Sequence, residues 1–260
     1  MIFGGEFVNG IDLADISLWL FTLFFFGLIF YLRREDRREG YPLERDTDGK
    51  LEDEGVFWYA PKKTFTLPHN RGTVSVPHGK RDERNHAMAR TAVWPGAPYQ
   101  PNGDPMKASV GPGSFAERED VEDLTDDGRQ RIAPLRVDGR IYVAKDSPNP
   151  VGMTVYGGDG KPAGTIVDVW VDRSEAIIRY LEVDVGMDGV STRVLLPVPF
   201  AKINGRRKRV DVDAIFAEHF VDAPKTASPD SITRLEEDKV SAYYGGGKLY
   251  AHHTRTESFI

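Results

Sequence analysis

Residues Ile16–Leu32 read ISLWLFTLFFFGLIFYL, seventeen positions without a charge, whose only hydroxyls besides Tyr31 are Ser17 and Thr22. As an α-helix rising about 1.5 Å per residue, the run spans roughly 25 Å. A hydrocarbon core is about 30 Å thick, and Ile11, Leu13 and Ala14 supply the missing length. Trp19 and Tyr31 stand near the two ends, where interfacial aromatics belong. A cleaved signal peptide needs a basic segment before the apolar run and small residues after it. Here the order is reversed: residues 1–32 hold Glu6, Asp12 and Asp15 and no Lys or Arg, and Arg33, Arg34, Arg37 and Arg38 follow directly. The pattern predicts a permanent membrane anchor over 11–34, with residues 1–10 outside and the rest in the cytoplasm. A buried core helix is the competing reading. The four arginines set topology, and they are also candidates for anionic lipid headgroups.

By composition the 260-residue chain is not a polytopic membrane protein. The whole chain carries 34 Lys+Arg against 40 Asp+Glu, a net charge of -6, and a mean hydropathy of -0.41, an average that still leaves room for one spanning helix. That balance argues against a general nucleic-acid binder. The absence of cysteine excludes disulfides, thiol catalysis and Cys-ligated metals. Twelve of the 17 prolines fall between Tyr41 and Pro150. Short β-like stretches at Thr64–Leu67 and Thr73–Val76 are separated by turn signals such as Asn102-Gly103-Asp104-Pro105. Phe57, Trp58, Tyr59, Phe65, Trp94, Tyr99 and Phe115 are costly to leave in water. Residues 35–150 are therefore expected to be extended chain lying on another protein, in preference to a disordered linker.

A β pattern begins near Val151. Thr165–Val171 (TIVDVWV) and Ile177–Val185 (IIRYLEVDV) are rich in β-branched and aromatic residues. A turn at Met187-Asp188-Gly189 leads to a strand at Thr192–Leu196, and Asn204-Gly205 makes a hairpin into Arg209–Val212. Such strands predict a small barrel over 151–222. Short helices are expected at Ala214–Phe220 and Ser231–Tyr244, the second stopped by Gly245-Gly246-Gly247, with a C-terminal helix and tail over 223–260.

No catalytic constellation emerges. Gly245–Leu249 (GGGKL) lacks the spacing of a phosphate loop. Asp184–Gly189 begins like a calcium loop, but its last ligand position holds Leu195. None of the six histidines has metal-site spacing except the adjacent pair His252 and His253, which reads as tail. The chain is read as a non-enzyme with no cofactor or metal of its own. Asp168, Asp172, Glu175 and Arg179 lie in and just after one strand. Crowded carboxylates raise at least one pKa, and a carboxyl titrating near neutrality can relay protons, with Arg179 as counter-charge. A solvated turn with ordinary surface carboxylates is the plain alternative.

Six stretches carry a resemblance: Arg38–Glu44 (REGYPLE), Lys63–Pro77 (KTFTLPHNRGTVSVP), Ala87–Val93 (AMARTAV), Pro101–Phe115 (PNGDPMKASVGPGSF), Val167–Val183 (VDVWVDRSEAIIRYLEV) and Leu235–Ala251 (LEEDKVSAYYGGGKLYA). In this order behind one apolar helix, they resemble the H subunit of the purple-bacterial photosynthetic reaction centre. The resemblance implies one transmembrane helix plus a mainly-β cytoplasmic domain holding a PRC-type β-barrel, in the bacterial inner (intracytoplasmic) membrane. It implies a subunit that caps L and M subunits, stabilises the complex and conducts protons to the secondary quinone. Bacteriochlorophyll, bacteriopheophytin, quinones, carotenoid and a non-haem iron would reside in the partners. An antenna ring, a cytochrome and membrane lipids are further partners, and nucleic acid is not. By position, Glu175 resembles the family glutamate nearest the quinone pocket, Asp172 and Arg179 its polar cluster, and Glu237 a linked buried acid. Where family members often carry an Asp and two His, Leu124–Ile132 reads LTDDGRQRI. Asp126 and Asp127 are left as surface acceptors, Arg129 replaces one imidazole, and inhibition by divalent metals is expected to be weaker. The rival reading is an anchored PRC-barrel binding module for RNA or protein, with Arg206–Arg209 (RRKR) touching phosphates.

Overall fold

The computed structural model describes residues 12–52, 55–79, 82–186 and 191–256. The expected external segment 1–10 and the turn at Met187-Asp188-Gly189 lie outside them. The chain divides into two compact units, one through Asp82 together with Val93–Gly96, the other comprising Glu83–Ala92 and the chain from Ala97 onward.

The first unit opens with α1, Leu13–Glu35, whose N-cap Asp12 accepts a hydrogen bond from the Ala14 amide at 3.1 Å. Among the described residues it is the helix long and apolar enough to cross a membrane, and none of its side chains is buried. Its two mid-helix hydroxyls are satisfied internally: Ser17 Oγ donates to Leu13 O at 2.9 Å and Thr22 Oγ1 to Leu18 O at 2.8 Å. In lipid no water is available for that purpose, so back-bonding to the preceding turn is the cheap solution. A 3-10 turn, Asp36–Arg38, ends the helix. Strands β1 (Lys63–Thr66) and β2 (Thr73–Val76) then form an antiparallel hairpin, with Phe65 opposite Val74.

The second unit begins with a small pair, β3 (Met88–Arg90) and β4 (Tyr99–Pro101). Its main sheet holds β5 (Ile132–Pro134), β6 (Thr154–Tyr156), β7 (Pro162–Asp172), β8 (Ile177–Asp184), β9 (Arg193–Pro197), β10 (Lys202–Asn204) and β11 (Arg209–Asp211). The order is β10-β11-β6-β7-β8-β9, with β5 also paired to β7. β7 organises this sheet. Its first residues pair with β6 and its last three with β5, both on the edge opposite β8. Two register shifts against β8 bend it on the way. Residues Asp168–Asp172 are buried in succession, so both faces of the strand are covered there. Among the described residues β9 and β10 do not pair to close the sheet. Val155, Ile166, Val169, Trp170, Leu181, Val183, Leu196 and Val210 fill the core, joined by Ile215, Phe220, Val240 and Tyr244.

The short helix expected over Ala214–Phe220 is present, shifted by a few residues, as a 3-10 segment, Ala217–Asp222. The other helical expectation needs correction. The C-terminal helix α2 runs Arg234–Tyr250, straight through the three glycines expected to stop it. It starts on a capping box in which Thr233 and Glu236 bond each other's amides at 3.2 and 2.9 Å. The glycines are needed for contact. A Cβ on Gly247 would overlap Ile215 Cγ2 and lie 2.8 Å from Ala214 O, and one on Gly246 would stand 3.0 Å from Gly113 Cα. Close packing of backbone on backbone offsets a helix-propensity cost of about 1 kcal/mol per glycine.

Candidate functional site

The turn after β7 gathers the first group of charges. Asp172 is buried, and its Oδ1 accepts the amides of Ser174 at 2.9 Å and Glu175 at 3.2 Å, which folds the turn. Its Oδ2 accepts Arg131 Nε at 2.9 Å. Arg131 Nη2 reaches Glu175 Oε1, also at 2.9 Å, and its Nη1 lies 3.4 Å from Asp123. Arg234 on α2 holds the same Asp123 at 2.8 Å. Burial pushes the Asp123 pKa up, but the hydrogen bonds and charges of Arg234 and Arg131 outweigh it and hold the carboxyl below its ordinary value. Glu175 keeps 53% of its side chain exposed and is the open end of this group.

The counter-charge of Asp172 and Glu175 is thus Arg131, on the segment leading into β5, where the sequence suggested Arg179. Arg179 points to α2 instead, 3.9 Å from Glu237. Glu237 is half-buried and accepts the Tyr180 hydroxyl at 3.2 Å. Burial dominates there and raises the Glu237 pKa, against the opposing pull of the Tyr180 hydrogen bond and Arg179. A carboxyl held this way keeps its proton to higher pH than an ordinary glutamate does.

Asp168 stands apart. Four residues up β7 amount to roughly 13 Å of strand, too far to share the Arg131 guanidinium. Asp168 pairs with Arg136 at 2.9 Å, and Arg136 also binds Glu182 at 2.5 Å and Asp230 at 3.0 Å. Trp170 Nε1 and Arg193 Nη1 complete the Glu182 shell, each at 3.0 Å. Burial alone would raise the Glu182 pKa. Those donors reverse the sign and lower it. Both oxygens of buried Glu182 thus accept hydrogen bonds within one ion network.

At the surface loop, Asp126 is exposed, while Asp127 accepts Thr125 Oγ1 at 2.5 Å and Arg129 Nε at 2.7 Å. The Thr125 bond first, then Arg129, lowers its pKa. Arg129 also lies 3.9 Å from buried Asp138, which meets Arg173 at 2.9 Å. Arg131, Arg136, Asp123, Asp138 and Glu182 were not singled out from sequence. Only Glu182 left a signal there, as an acid between the apolar residues Leu181 and Val183. Among the described residues no group of three His, Asp or Glu is placed to hold a metal ion.

In the first unit three of the four arginines in the last turn of α1 and the 3-10 turn after it turn inward. Arg37 is 7% exposed, its guanidinium 5.2 Å over Tyr41 and 5.3 Å over Trp58, with Nη1 donating to Arg33 O at 2.7 Å. Arg38 grips Glu35 through two 2.8 Å bonds and donates to Pro61 O at 2.6 Å. Arg34 reaches Tyr59 O at 3.4 Å. Arg33 keeps 56% of its side chain exposed, near Asp36.

Comparison with known proteins agrees with this architecture. A family model described as the photosynthetic reaction centre H-chain N-terminal region matches residues 5–137, and the PRC-barrel domain matches 144–218. An uncharacterised protein of Deinococcus radiodurans is 41% identical over 75 residues, covering 28% of this chain and 27% of that relative. The second match spans the strands from β6 to β11, and the first spans α1, the arginine junction and the segment through β5. Since the first covers just over half of its length, the chain belongs to the photosynthetic reaction-centre H-chain family and carries a PRC-barrel domain.

Proposed function

We propose that this protein is the H subunit of a photosynthetic reaction centre. It caps the cytoplasmic face of pigment-carrying L and M subunits, stabilises their complex, and conducts protons toward the secondary quinone without catalysing a reaction itself. The observation that carries the relay reading is the pairing of buried Asp172 with half-open Glu175 on one guanidinium, Arg131. Fixing both carboxylates on a rigid cation orients them, while Glu175 remains able to exchange protons with whatever covers it. Glu237, with its raised pKa, is a second station, and Tyr180 and Arg179 orient it. Asp127 is a weak surface acceptor, because hydrogen bonds from Thr125 and Arg129 favour its ionised form, and exposed Asp126 stands beside it.

The apolar helix and the arginines behind it support a single-pass anchor with the bulk in the cytoplasm. Phe57 at 82% exposed and Trp94 at 63% fit chain that a partner covers. The bacteriochlorophyll, bacteriopheophytin, quinones, carotenoid and non-haem iron of such a complex belong to its L and M subunits. An antenna ring and a cytochrome are further neighbours in this reading.

The test is Glu175→Gln in the assembled complex, which keeps the shape and removes the titration. The second electron transfer to quinone, with its coupled proton uptake, should slow by roughly tenfold or more, as for loss of a positioned acid–base group. Unchanged rates would refute the relay while leaving the capping role standing. Failure of the chain to co-purify with bacteriochlorophyll would refute the capping role.

A further inference from the structure

The stretch Arg206–Arg209 forms the end of the β10–β11 hairpin, and its four cations divide. Arg209 is bound into the sheet, with Nε 2.8 Å from Asp211 Oδ1 and its guanidinium 4.2 Å over the Tyr156 ring. Arg206, Arg207 and Lys208 are exposed, and their side chains make no ion pair or hydrogen bond with a described residue. This contrasts with Arg131, Arg136, Arg173, Arg193 and Arg234 of the same unit, each 2.8–3.0 Å from a carboxylate.

The tip is also fixed in place. Asn204 Oδ1 accepts the Arg207 amide at 3.0 Å, and Gly205 backs so closely onto Pro148 that a Cβ there would stand 2.6 Å from the proline Cβ. Lys208 has a φ of 49°, in the left-handed region where glycine or asparagine sits with less strain. A rigid turn therefore presents three unneutralised cations, one of them on an unfavourable backbone, from a chain whose net charge is -6.

We propose that this tip is a contact for the anionic headgroups of a lipid bilayer. Cations near an anionic leaflet are attracted individually and need no shaped pocket. A nucleic acid is the weaker match, since phosphate-driven binding usually draws on about 6–10 contacts and the surrounding chain is acidic. A protein partner is weaker too, because the Asn204–Lys208 tip offers no apolar or aromatic side chain to form an interface core. The inference rests on the membrane-anchored reading and is independent of the proton relay.

The tip contains its own reporter, since trypsin cuts after Arg206, Arg207 and Lys208. The full chain would be placed in phosphatidylcholine nanodiscs with and without phosphatidylglycerol, and cleavage at these bonds followed over time. Phosphatidylglycerol should slow cleavage by about tenfold or more, and high salt should abolish the protection. As a second readout, Ser147→Cys in this cysteine-free chain accepts a polarity-sensitive dye beside the tip. Its response to phosphatidylglycerol should vanish when Arg206, Arg207 and Lys208 are all changed to Gln. Equal cleavage in both lipids would overturn the proposal. So would protection by added RNA or inorganic phosphate in the absence of anionic lipid.

Discussion

Arg131 Nε and Asp172 Oδ2 lie 2.9 Å apart, although 41 residues separate them in the chain. That bond ties the segment entering β5 to the end of β7, and the Arg173 amide donating to Arg131 O at 2.8 Å reinforces it. Arg131→Met would leave Asp172 buried without its cation. Breaking a fully buried pair costs about 3–5 kcal/mol. Arg131 is a third exposed, so a loss nearer 1–3 kcal/mol is expected in denaturant unfolding of the full chain in detergent. Asp172→Asn, which keeps an oxygen for the Ser174 and Glu175 amides, should cost less. A larger loss for Asp172→Asn than for Arg131→Met would refute this ordering.

Glu237 and Glu182 should pull stability in opposite directions with pH. The folded pKa of Glu237 is raised above its ordinary 4.5, so its contribution is fully present below pH 4.5 and is lost as pH rises through the folded value. The Glu182 pKa is lowered, so its contribution is present above 4.5 and lost as pH falls through the folded value. Glu237→Gln should therefore gain stability relative to the parent as pH rises from 4 to 8. Glu182→Gln should be most destabilising at neutral pH and converge on the parent in acid. Parallel unfolding-midpoint curves across that range would contradict both assignments.

Gly247→Ala tests why a helix runs through three glycines. Helix propensity alone favours alanine by about 1 kcal/mol. The new methyl would overlap Ile215 Cγ2 and crowd Ala214 O, an overpacking cost of about 1–3 kcal/mol. A net loss is expected, readable as a lower denaturant midpoint. Gly246→Ala, with its nearest contact at 3.0 Å, should lose less. A gain in both variants would mean that the glycines serve no packing purpose.

The four arginines at the C-terminal end of α1 and in the turn after it should not be equivalent. Arg37→Ala removes a buried guanidinium from between Tyr41 and Trp58, where cation–π contacts are worth up to about 2 kcal/mol. The junction should become more open to chymotrypsin at Trp58, the bond after Tyr41 being protected by Pro42. Arg33→Ala should leave digestion unchanged, because its side chain is mostly solvent-exposed. Equal protection in the two variants would show that burial of Arg37 does not hold the junction.

Legibility in the sequence followed the range of the interaction. The strands Thr73–Val76, Thr165–Val171 and Ile177–Val185 were visible because a two-residue period and β-branched side chains act locally. The Asp172–Glu175 turn was visible for the same reason. The Arg131 clamp was not, since a charge pair across 41 residues leaves no periodic trace. The glycine run was misread because local propensity points one way and the backbone of Gly113 and Ala214 decides the other.

By itself the sequence determined that an uncharged run followed by arginines must form a membrane-length helix, and that the later chain must be mainly β. Those outcomes depend on solvent partition and local sterics, which each segment settles alone. Only the tertiary structure decided which guanidinium faces which carboxylate: Arg131 for Asp172 and Glu175, Arg136 for Asp168 and Glu182, Arg179 for Glu237. The pKa of a carboxyl depends on its depth and on charges a few ångströms away. The fold assembles those charges from residues distant in the chain.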